Sequence, residues 1–340
     1  MLRHSSKPIG IIILNWNGSA LLRKYLPSVV EHTDPDLADV IVADNGSDDD
    51  SLTIFAEEFP QVLTIDLGTN HGFAEGYNLA IAQVSHPYVL LLNSDVRVTP
   101  GWILPLYRFL QSHPDAVSVQ PTLRWDRNPE MLEYSGALGG YMDHLGYPFC
   151  RGRIFSTLEK DEGQYGKQPM EVFWTSGAAM MVRRNDFIHA GGLDPSFFAH
   201  QEEIDLAWRW QSLGKRLYVI PESIVYHYGG ASLDASNPRK TYLNFRNNLR
   251  MLYRNLPENR RRRILRIRRI LDILAALVFL LSGKTEDAKA VMRAWRDARG
   301  ERYPAPPMGD KEQAYRKLYP HSLLVRYHLR GERLYSDLKK

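Results

Sequence analysis

Short apolar runs alternate with amphipathic segments over the first two thirds of the chain. The runs are rich in β-branched residues and have the length of strands, whereas the segments between them have helical spacing. Strands are predicted over 9–14, 39–44, 62–66, 88–92 and 116–120, and helices over 18–30, 51–59, 73–84 and 100–112. This alternation predicts an α/β fold with a mainly parallel sheet that is flanked by helices and joined by right-handed crossovers.

The pattern changes further along the chain. Loops are expected over 135–166, strand-like segments over 171–182, 217–220 and 223–227, and helices around Phe187 and over 203–213. Beyond Ser236 the alternation stops, and the pattern predicts helices over 239–255 and 258–281 and a linker at Pro304–Pro307. An α/β catalytic domain over 1–235 and a helical, basic C-terminal region over 236–340 are therefore predicted.

Cysteine content and hydropathy bear on the compartment. Cys150 is the single cysteine among 340 residues, so no intrachain disulfide can form and a reducing compartment is expected. The N-terminus has no apolar signal segment, which favours a protein that is not secreted. No apolar run reaches roughly eighteen residues, so no transmembrane helix is predicted.

Charge is distributed unevenly along the chain. The net charge of +4 combines −12 over residues 1–235 with +16 over 236–340. Seven arginines between Arg260 and Arg269 precede the apolar run Ile270–Leu281, a combination that suits a helix at an anionic membrane surface. An arginine-rich solvated face beside a core helix explains the pattern equally well. Nucleic acid is not expected as a partner, because the body is acidic and no nucleic-acid-binding module is present.

Polar residues follow the first two predicted strands. The first strand ends in Asn15-Trp16-Asn17-Gly18 and the second in Asp44-Asn45-Gly46-Ser47. Ligands of open α/β sheets bind at the carboxyl ends of the strands, so these residues could line a nucleotide base and ribose. Turn chemistry and an acidic helix cap explain the second segment equally well.

Two later segments add a candidate phosphate site and a candidate metal site. Asn70–Asn78 places glycines and backbone amides at the start of a helix, an arrangement that suits phosphate binding. A Rossmann dinucleotide site is a poor match, because G-x-G-x-x-G does not follow the first strand. Asn93-Ser94-Asp95 follows the fourth predicted strand, and the Asp95 carboxylate suits Mg²⁺ or Mn²⁺, unless the triplet is a turn or a cap. His227, at the end of another strand, is either a structural histidine or a metal ligand.

A second acidic centre opens the helix that follows Phe197-Phe198. Glu202, Glu203 and Asp205 lie in its first turn, where acids are favoured by the helix dipole. The alternative is that one of the adjacent glutamates is a general base with a raised pKa.

Taken in order, these segments resemble glycosyltransferase family 2, in its rhamnosyltransferase-like branch with a GT-A fold. The resemblance covers roughly residues 8 to 255. The matching segments are Asn15–Gly18, Asp44–Ser47, Asn70–Asn78, Asn93–Asp95, Gly177–Arg183, Gly191–Leu206, His227 and Arg246-Asn247. The chain departs from the family at Glu203, where an aspartate is common; glutamate is one methylene longer, so Glu202 remains a competing candidate.

The resemblance implies an inverting glycosyltransferase with a general base, a divalent cation and a nucleotide-sugar donor. Glu203 or Glu202 would be the base, and Asp95 with His227 would hold Mn²⁺ or Mg²⁺. The acceptor side would include Trp174, Gly177 and Ala178. The donor would be bound by Asn15, Asn17, Gly18, Asp44, Asn45, Asn70, Gly72, Phe73, Asn78, Asn93 and Arg246.

The implied acceptor is a saccharide or lipid-linked saccharide in cell-surface polysaccharide synthesis, used by a cytoplasmic protein at the inner face of the membrane. No particular oligomeric state is predicted. One alternative is an inactive sugar-nucleotide-binding scaffold, since Glu203 replaces the usual aspartate. Another is a sugar-nucleotidyl transferase, which requires a Gly-rich, Lys- or Arg-bearing signature near the N-terminus that Asn15–Gly18 does not supply.

Overall fold

The computed structural model describes residues 5–229, 237–300 and 309–339. Its strands are β1 (Ile9–Asn15), β2 (Ala38–Asp44), β3 (Leu63–Asp66), β4 (Tyr88–Asn93), β5 (Val96–Val98), β6 (Ala116–Trp125), β7 (Asn128–Leu132), β8 (Gly140–Met142), β9 (Pro148–Cys150), β10 (Arg153–Ile154), β11 (Thr157–Leu158), β12 (Met170–Val172), β13 (Ala179–Arg183) and β14 (Arg216–His227). Its α-helices are α1 (Ser19–Glu31), α2 (Ser51–Glu57), α3 (Gly72–Ala82), α4 (Ile103–Ser112), α5 (Arg184–His189), α6 (Glu202–Ser212), α7 (Pro238–Asn255), α8 (Glu258–Leu281), α9 (Thr285–Gly300) and α10 (Lys311–Arg316).

The central sheet has the strand order β12-β14-β6-β13-β4-β1-β2-β3, with β5 paired to β14 and β7 to β6. The strands β4, β1, β2 and β3 are parallel to one another, as the sequence predicts. β13 is antiparallel to both of its neighbours, so the sheet is mixed, with most of its main pairings parallel. The strand-like segment expected over 171–182 consists of two strands, β12 and β13. The sequence pattern did not separate them because the segment between them is also buried.

Strand β1 has no polar side chain before Asn15, because helices cover both of its faces. Ile11 and Ile13 pack in one cluster with Leu22 of α1, whereas Ile12 belongs to a second cluster with Tyr77 of α3. The sheet therefore lies between two hydrophobic layers, and its strand ends are left to carry polar groups.

The register of the sheet assembles those polar groups at one edge. Asn15 is paired with Asp44 across β1 and β2, and Leu14 is paired with Asn93 across β1 and β4. His227, the last residue of β14, is paired with Val96 of β5, which places it beside Asp95.

The C-terminal region packs against the rest of the chain. Leu323 donates its backbone N–H to the Asp143 carboxylate at 2.8 Å, beside a small sheet with the order β11-β10-β9-β8. Helix α7 contributes Asn248, whose Nδ2 donates to the Gly146 carbonyl at 2.8 Å. The predicted boundary at 235/236 and the linker at Pro304–Pro307 lie outside the described residues, so the two-domain division stays a prediction. Within the described ranges, no helix combines the length and apolar character that a membrane crossing requires.

Candidate active site

The ends of β1 and β2 form a closed polar network. Asn15 Nδ2 donates to Asp44 Oδ1 at 2.9 Å, and Ser47 donates to both Asp44 oxygens, through its N–H at 2.9 Å and its hydroxyl at 2.6 Å. Asn15 Oδ1 is buried and has no hydrogen-bond partner among the described residues. A Cβ at Gly18 would lie 2.5 Å from this Asn15 oxygen, so only glycine fits there. The predicted residues Asn15, Gly18 and Asp44 are therefore together.

Asn17 joins the two turns of this network. Its Oδ1 accepts the Asp48 N–H at 2.7 Å, and its own N–H donates to Ser47 Oγ at 2.9 Å. Its φ of 50° is a left-handed conformation that asparagine tolerates better than most residues. The neighbouring Trp16 is 52% exposed, an unusual position for an indole, and the sequence interpretation did not single it out.

Asn45 anchors the segment that precedes α3. Its side chain donates to the Gly72 carbonyl at 3.1 Å and to Asn70 Oδ1 at 3.2 Å, and it accepts the His71 N–H at 3.0 Å. Gly72 has a φ of 78°, and a Cβ there would lie 2.6 Å from the Phe198 ring. The start of α3 is thereby held close to the loop that precedes α6.

Phe73 makes that contact directly. Its backbone N–H donates to the Phe198 carbonyl at 2.7 Å. A Cβ on Gly177 would lie 3.3 Å from the Phe73 ring and 3.8 Å from Glu203 Cβ, so the Gly177 backbone borders the second acidic centre. Ala178 is buried, and its carbonyl accepts the Asn93 N–H at 3.0 Å.

Three predicted site residues bond to protein backbone. Asn78 Nδ2 donates to the Leu193 carbonyl at 2.7 Å, and its Oδ1 accepts the Leu193 N–H at 3.0 Å. Arg246 donates to the Phe197 carbonyl at 2.9 Å. Trp174 is 2% exposed and donates Nε1–H to the Tyr141 carbonyl at 2.8 Å. Asn78 and Arg246 thus position the loop before α6, whereas Trp174 lies within the core, and its acceptor-side role stays a prediction.

Asp95 and His227 form the candidate metal centre. Asp95 Oδ1 lies 3.1 Å from His227 Nε2, and Asp95 Oδ2 accepts the Gly229 N–H at 3.1 Å. Asn93 Nδ2 is 3.4 Å from the same His227 nitrogen. In the described ranges, no three His, Cys, Asp or Glu side chains are grouped to hold a metal ion. A cation here would have two protein ligands and would need others from the substrate.

Glu133, which the sequence interpretation missed, completes this centre. It follows β7, is 2% exposed, and places Oε1 at 3.3 Å from His227 Nδ1. Burial lowers the pKa of His227, but the negative charges of Asp95 and Glu133 outweigh burial and hold it well above its ordinary value. Burial raises the pKa of Asp95, but the charge and hydrogen bonds of His227, with the Gly229 N–H, leave it lowered. No sequence motif surrounds Glu133, so only the pairing of β7 with β6 could have identified it.

The two glutamates at the start of α6 differ in exposure. Glu202 is 4% exposed, whereas Glu203 is partly exposed, and each has one carboxylate oxygen without a hydrogen-bond partner among the described residues. Burial raises the pKa of Glu203 to about 7. Burial, and then the charge of Glu203, raise the pKa of Glu202 well above its ordinary value. Glu203 is therefore the more exposed of the two carboxyls, and its pKa of about 7 allows it to change charge near neutral pH.

Three residues of the loop before α6 have left-handed backbone: Phe198 (φ 64°), His200 (φ 73°) and Gln201 (φ 69°). Such conformations are costly for residues other than glycine and persist where surrounding contacts enforce them. Asn247 of α7 supplies these contacts, because its Nδ2 lies 2.8 Å from the carbonyls of Ala199 and His200 and 3.1 Å from that of Phe197. The position of Glu203 thus depends on the C-terminal region.

A family model described as "Glycosyl transferase family 2" matches residues 10–186. The chain belongs to this family. It is therefore a glycosyltransferase, and the family predicted from its motifs is confirmed.

Two characterised relatives of this glycosyltransferase are rhamnosyltransferases. "N-acetylglucosaminyl-diphospho-decaprenol L-rhamnosyltransferase" of Mycobacterium tuberculosis is 27% identical over 260 residues, which cover 68% of this chain and 82% of the relative. "Rhamnosyltransferase WbbL" of Escherichia coli K12 is 27% identical over 227 residues, which cover 64% of this chain and 82% of the relative.

Solved structures share the fold at low sequence identity. GalNAc-T7 with UDP, GalNAc and Mn²⁺ has a TM-score of 0.59 at 17% identity, with 74% of this chain and 48% of that one covered. The glycosyltransferase thus spans about half the length of GalNAc-T7. Residues 1–349 of S. aureus TarS, with UDP-GlcNAc, have a TM-score of 0.56 at 15% identity, with 85% and 80% covered. These likenesses confirm the predicted GT-A fold.

Proposed function

We propose that this family 2 enzyme is an inverting transferase that moves a hexosyl or rhamnosyl group from a nucleotide-diphospho-sugar to a hydroxyl of a lipid-linked saccharide. The observation that carries the proposal is the placement of Glu203, a partly exposed carboxyl with a pKa raised to about 7, beside Gly177 at the polar edge of the sheet. The names of the two rhamnosyltransferase relatives support the sugar, and that of the mycobacterial relative supports the acceptor.

The donor nucleoside would lie over the ends of β1 and β2. Asn15 Oδ1 is a buried acceptor without a hydrogen-bond partner among the described residues, so a donor group of the nucleotide could satisfy it. The exposed ring of Trp16 offers a stacking surface to a base. Asn93 lies closer to the metal centre and would contact the ribose or the sugar.

The residues present fit a divalent cation. Asp95 and His227 supply one carboxylate and one imidazole, and Mn²⁺ and Mg²⁺ commonly complete their shells with substrate phosphates. Asp95 and His227 would hold the cation, which would stabilise charge on the departing nucleoside diphosphate. The Mn²⁺ present in the GalNAc-T7 structure supports this assignment.

Glu203 would act as the general base. Its ionised carboxylate accepts the proton of the acceptor hydroxyl while that oxygen attacks the anomeric carbon from the face opposite the nucleoside diphosphate. The new glycosidic bond forms as the bond to the diphosphate oxygen breaks, which inverts the configuration. Glu202 is the more buried of the two carboxyls and its pKa is raised well above its ordinary value, so Glu203 is the preferred base.

A lipid-linked acceptor would place the enzyme at a membrane. We propose that it is a cytoplasmic, peripheral protein of the inner face, since its C-terminal region carries a net charge of +16 and anionic headgroups attract basic segments.

A panel of nucleotide-sugars tests the transfer reaction. Each is screened with Mn²⁺ or Mg²⁺ for thermal stabilisation, because a ligand that binds only the native state raises the melting temperature. Binders are then incubated with a polyprenyl-diphosphate-linked N-acetylglucosamine, and the anomeric configuration of the product is determined by NMR. Donor hydrolysis at the same rate with and without acceptor, or a product of retained configuration, would contradict the proposal.

A further inference from the structure

Helix α8 presents a single solvent-facing side that is basic at one end and apolar at the other. Its buried residues, Ile264, Leu265, Arg268, Asp272 and Ala276, recur at a spacing of one to four and form the inner side. The outer side is exposed along the whole helix, whose 24 residues extend about 36 Å.

The basic end of this outer side consists of Arg262, Arg263, Arg266 and Arg269, all exposed. These four guanidinium groups form no hydrogen bond or ion pair with residues that the structure describes. Other arginines of the cluster have internal roles. Arg268 is buried against Asn248 and Asp272, with its guanidinium 4.0 Å from the Tyr147 ring, and Arg260 pairs with Glu312 at 3.2 Å.

The apolar end is unusually exposed. Ile270 is 63% exposed, Leu274 52%, Val278 61% and Leu281 89%. These four positions follow one another at helical spacing, so their side chains form a continuous strip. A groove of about 700 Å³ between α8 and α9 extends the strip, and Lys289 and Arg293 are among its lining residues. Contiguous apolar surface rimmed by cations is characteristic of an interaction site.

We propose that this outer side of α8, called the α8 face, docks onto an anionic lipid bilayer, with the apolar strip inserted below the headgroups and the four arginines paired with lipid phosphates. The inference deepens the proposed peripheral location by naming the surface, and it is independent of donor and acceptor chemistry. A bilayer is the partner that matches both ends of this face, because its anionic headgroups can pair with the basic end and its acyl chains can cover the apolar end. A second copy of the chain would offer the same arginines.

The location of α8 gives this docking a consequence for catalysis. Arg268 joins α8 to Asn248 of α7 at 2.6 Å, and the preceding residue, Asn247, holds the loop that positions Glu203. A bilayer bound to the α8 face would therefore be coupled to the catalytic loop through two packed helices.

Flotation with lipid vesicles tests the α8 face. The apolar variant carries Ile270→Gln, Leu274→Gln, Val278→Gln and Leu281→Gln, and the arginine variant carries Arg262→Gln, Arg263→Gln, Arg266→Gln and Arg269→Gln. Glutamine is a good helix former, so α8 should persist in both. The control variant carries Leu52→Gln and Ile188→Gln, two exposed apolar residues outside α8.

With vesicles of phosphatidylglycerol and phosphatidylethanolamine, wild type and the control variant should float. The apolar variant should bind at least about 10²-fold more weakly. The arginine variant should show a similar loss at low salt but little at high salt, where the wild-type attraction is already screened. Phosphatidylcholine vesicles should bind wild type weakly.

Equal flotation of the apolar variant and wild type would refute the proposal, as would a wild type that fails to float at low salt. Sedimentation velocity without lipid tests whether the α8 face instead binds a second copy of the chain. If wild type is a dimer, the apolar variant is a monomer and neither binds vesicles, the α8 face is an interface between copies and the proposal is wrong. Donor-induced thermal stabilisation is measured in every variant, so a failure of docking is distinguished from a failure of the transfer reaction.

A fluorescent probe gives an independent measurement that leaves the strip largely intact. Because Cys150, the single cysteine, is buried, Leu281→Cys can be labelled selectively with an environment-sensitive dye. Its emission should shift to shorter wavelength when anionic vesicles are added, whereas a dye at Leu52→Cys should not respond. The absence of a shift at 281 in protein that floats would place the bilayer on another surface and overturn the proposal.

Discussion

Glu133 Oε1 lies 3.3 Å from His227 Nδ1, on the side of the imidazole opposite Asp95. Glu133 follows β7 and His227 ends β14, and both side chains are buried. An imidazole ligand commonly donates its second N–H to a carboxylate, which fixes the tautomer and the ring orientation. Glu133 lies within ion-pair distance of Nδ1, and we expect its charge to orient the imidazole so that Nε2 faces the cation.

We expect Glu133→Gln to weaken Mn²⁺ binding by about 10- to 100-fold, the usual effect of losing such an outer partner. Calorimetric titration of Mn²⁺ in the presence of a nucleoside diphosphate measures this directly. Glu159→Gln is the matched control, because Glu159 is also buried but accepts hydrogen bonds from the Tyr165 hydroxyl and the Tyr335 N–H. If both variants bind Mn²⁺ as wild type does, Glu133 has no role in orienting His227.

Asp95→Ala should abolish sugar transfer and remove the metal dependence of nucleotide binding. Asp95 places a carboxylate oxygen 3.1 Å from His227 Nε2, and alanine leaves no oxygen in its place. Equilibrium binding of the donor nucleotide with Mn²⁺ and with EDTA measures the effect. Retention of a Mn²⁺-dependent increase in affinity would rule out Asp95 as a metal ligand.

The polar edge of the sheet could be predicted because it depends on local pattern. Asn15, Asp44 and Asn93 each end an apolar run, and parallel pairing brings such ends together. The Glu133–His227 contact could not be predicted, because it depends on the antiparallel β7 and on the long strand β14. Composition likewise does not distinguish buried from exposed arginines in α8, whereas the structure buries Arg268 and exposes Arg266.

Asn247→Ala should lower kcat while donor affinity changes little. Asn247 Nδ2 satisfies carbonyls in a loop with three left-handed residues, and without it that loop can relax and displace Glu203. The loss of buried hydrogen bonds should also destabilise the fold by about 1–3 kcal/mol. Steady-state kinetics and denaturant unfolding check the two effects. Ser112→Ala, which removes an exposed hydroxyl on α4, is the control. A wild-type kcat in Asn247→Ala would show that the loop holds its shape without this side chain.

The last prediction concerns the pH dependence conferred by Glu203. A general base must be ionised, so kcat/KM should fall about tenfold per pH unit below the pKa of about 7 and level off above it. This fall at low pH is the acidic limb of the rate profile. Glu203→Gln should lower turnover by roughly 10²-fold or more and remove the acidic limb. Glu202→Gln should preserve the acidic limb near the same pH, because burial, and not the charge of Glu202, raises the pKa of Glu203.

Protein stability provides a readout that does not depend on turnover. The folded pKa of Glu203 lies above its unfolded value of 4.5, so ionisation of this group costs stability as pH rises from about 4.5 to about 7. Glu203→Gln cannot ionise, and its melting temperature should therefore exceed that of wild type at pH 8 and approach it at pH 4.5. If Glu202→Gln, rather than Glu203→Gln, abolishes the acidic limb of the rate profile, Glu202 is the base. In that case the more buried carboxyl must become accessible when the acceptor binds.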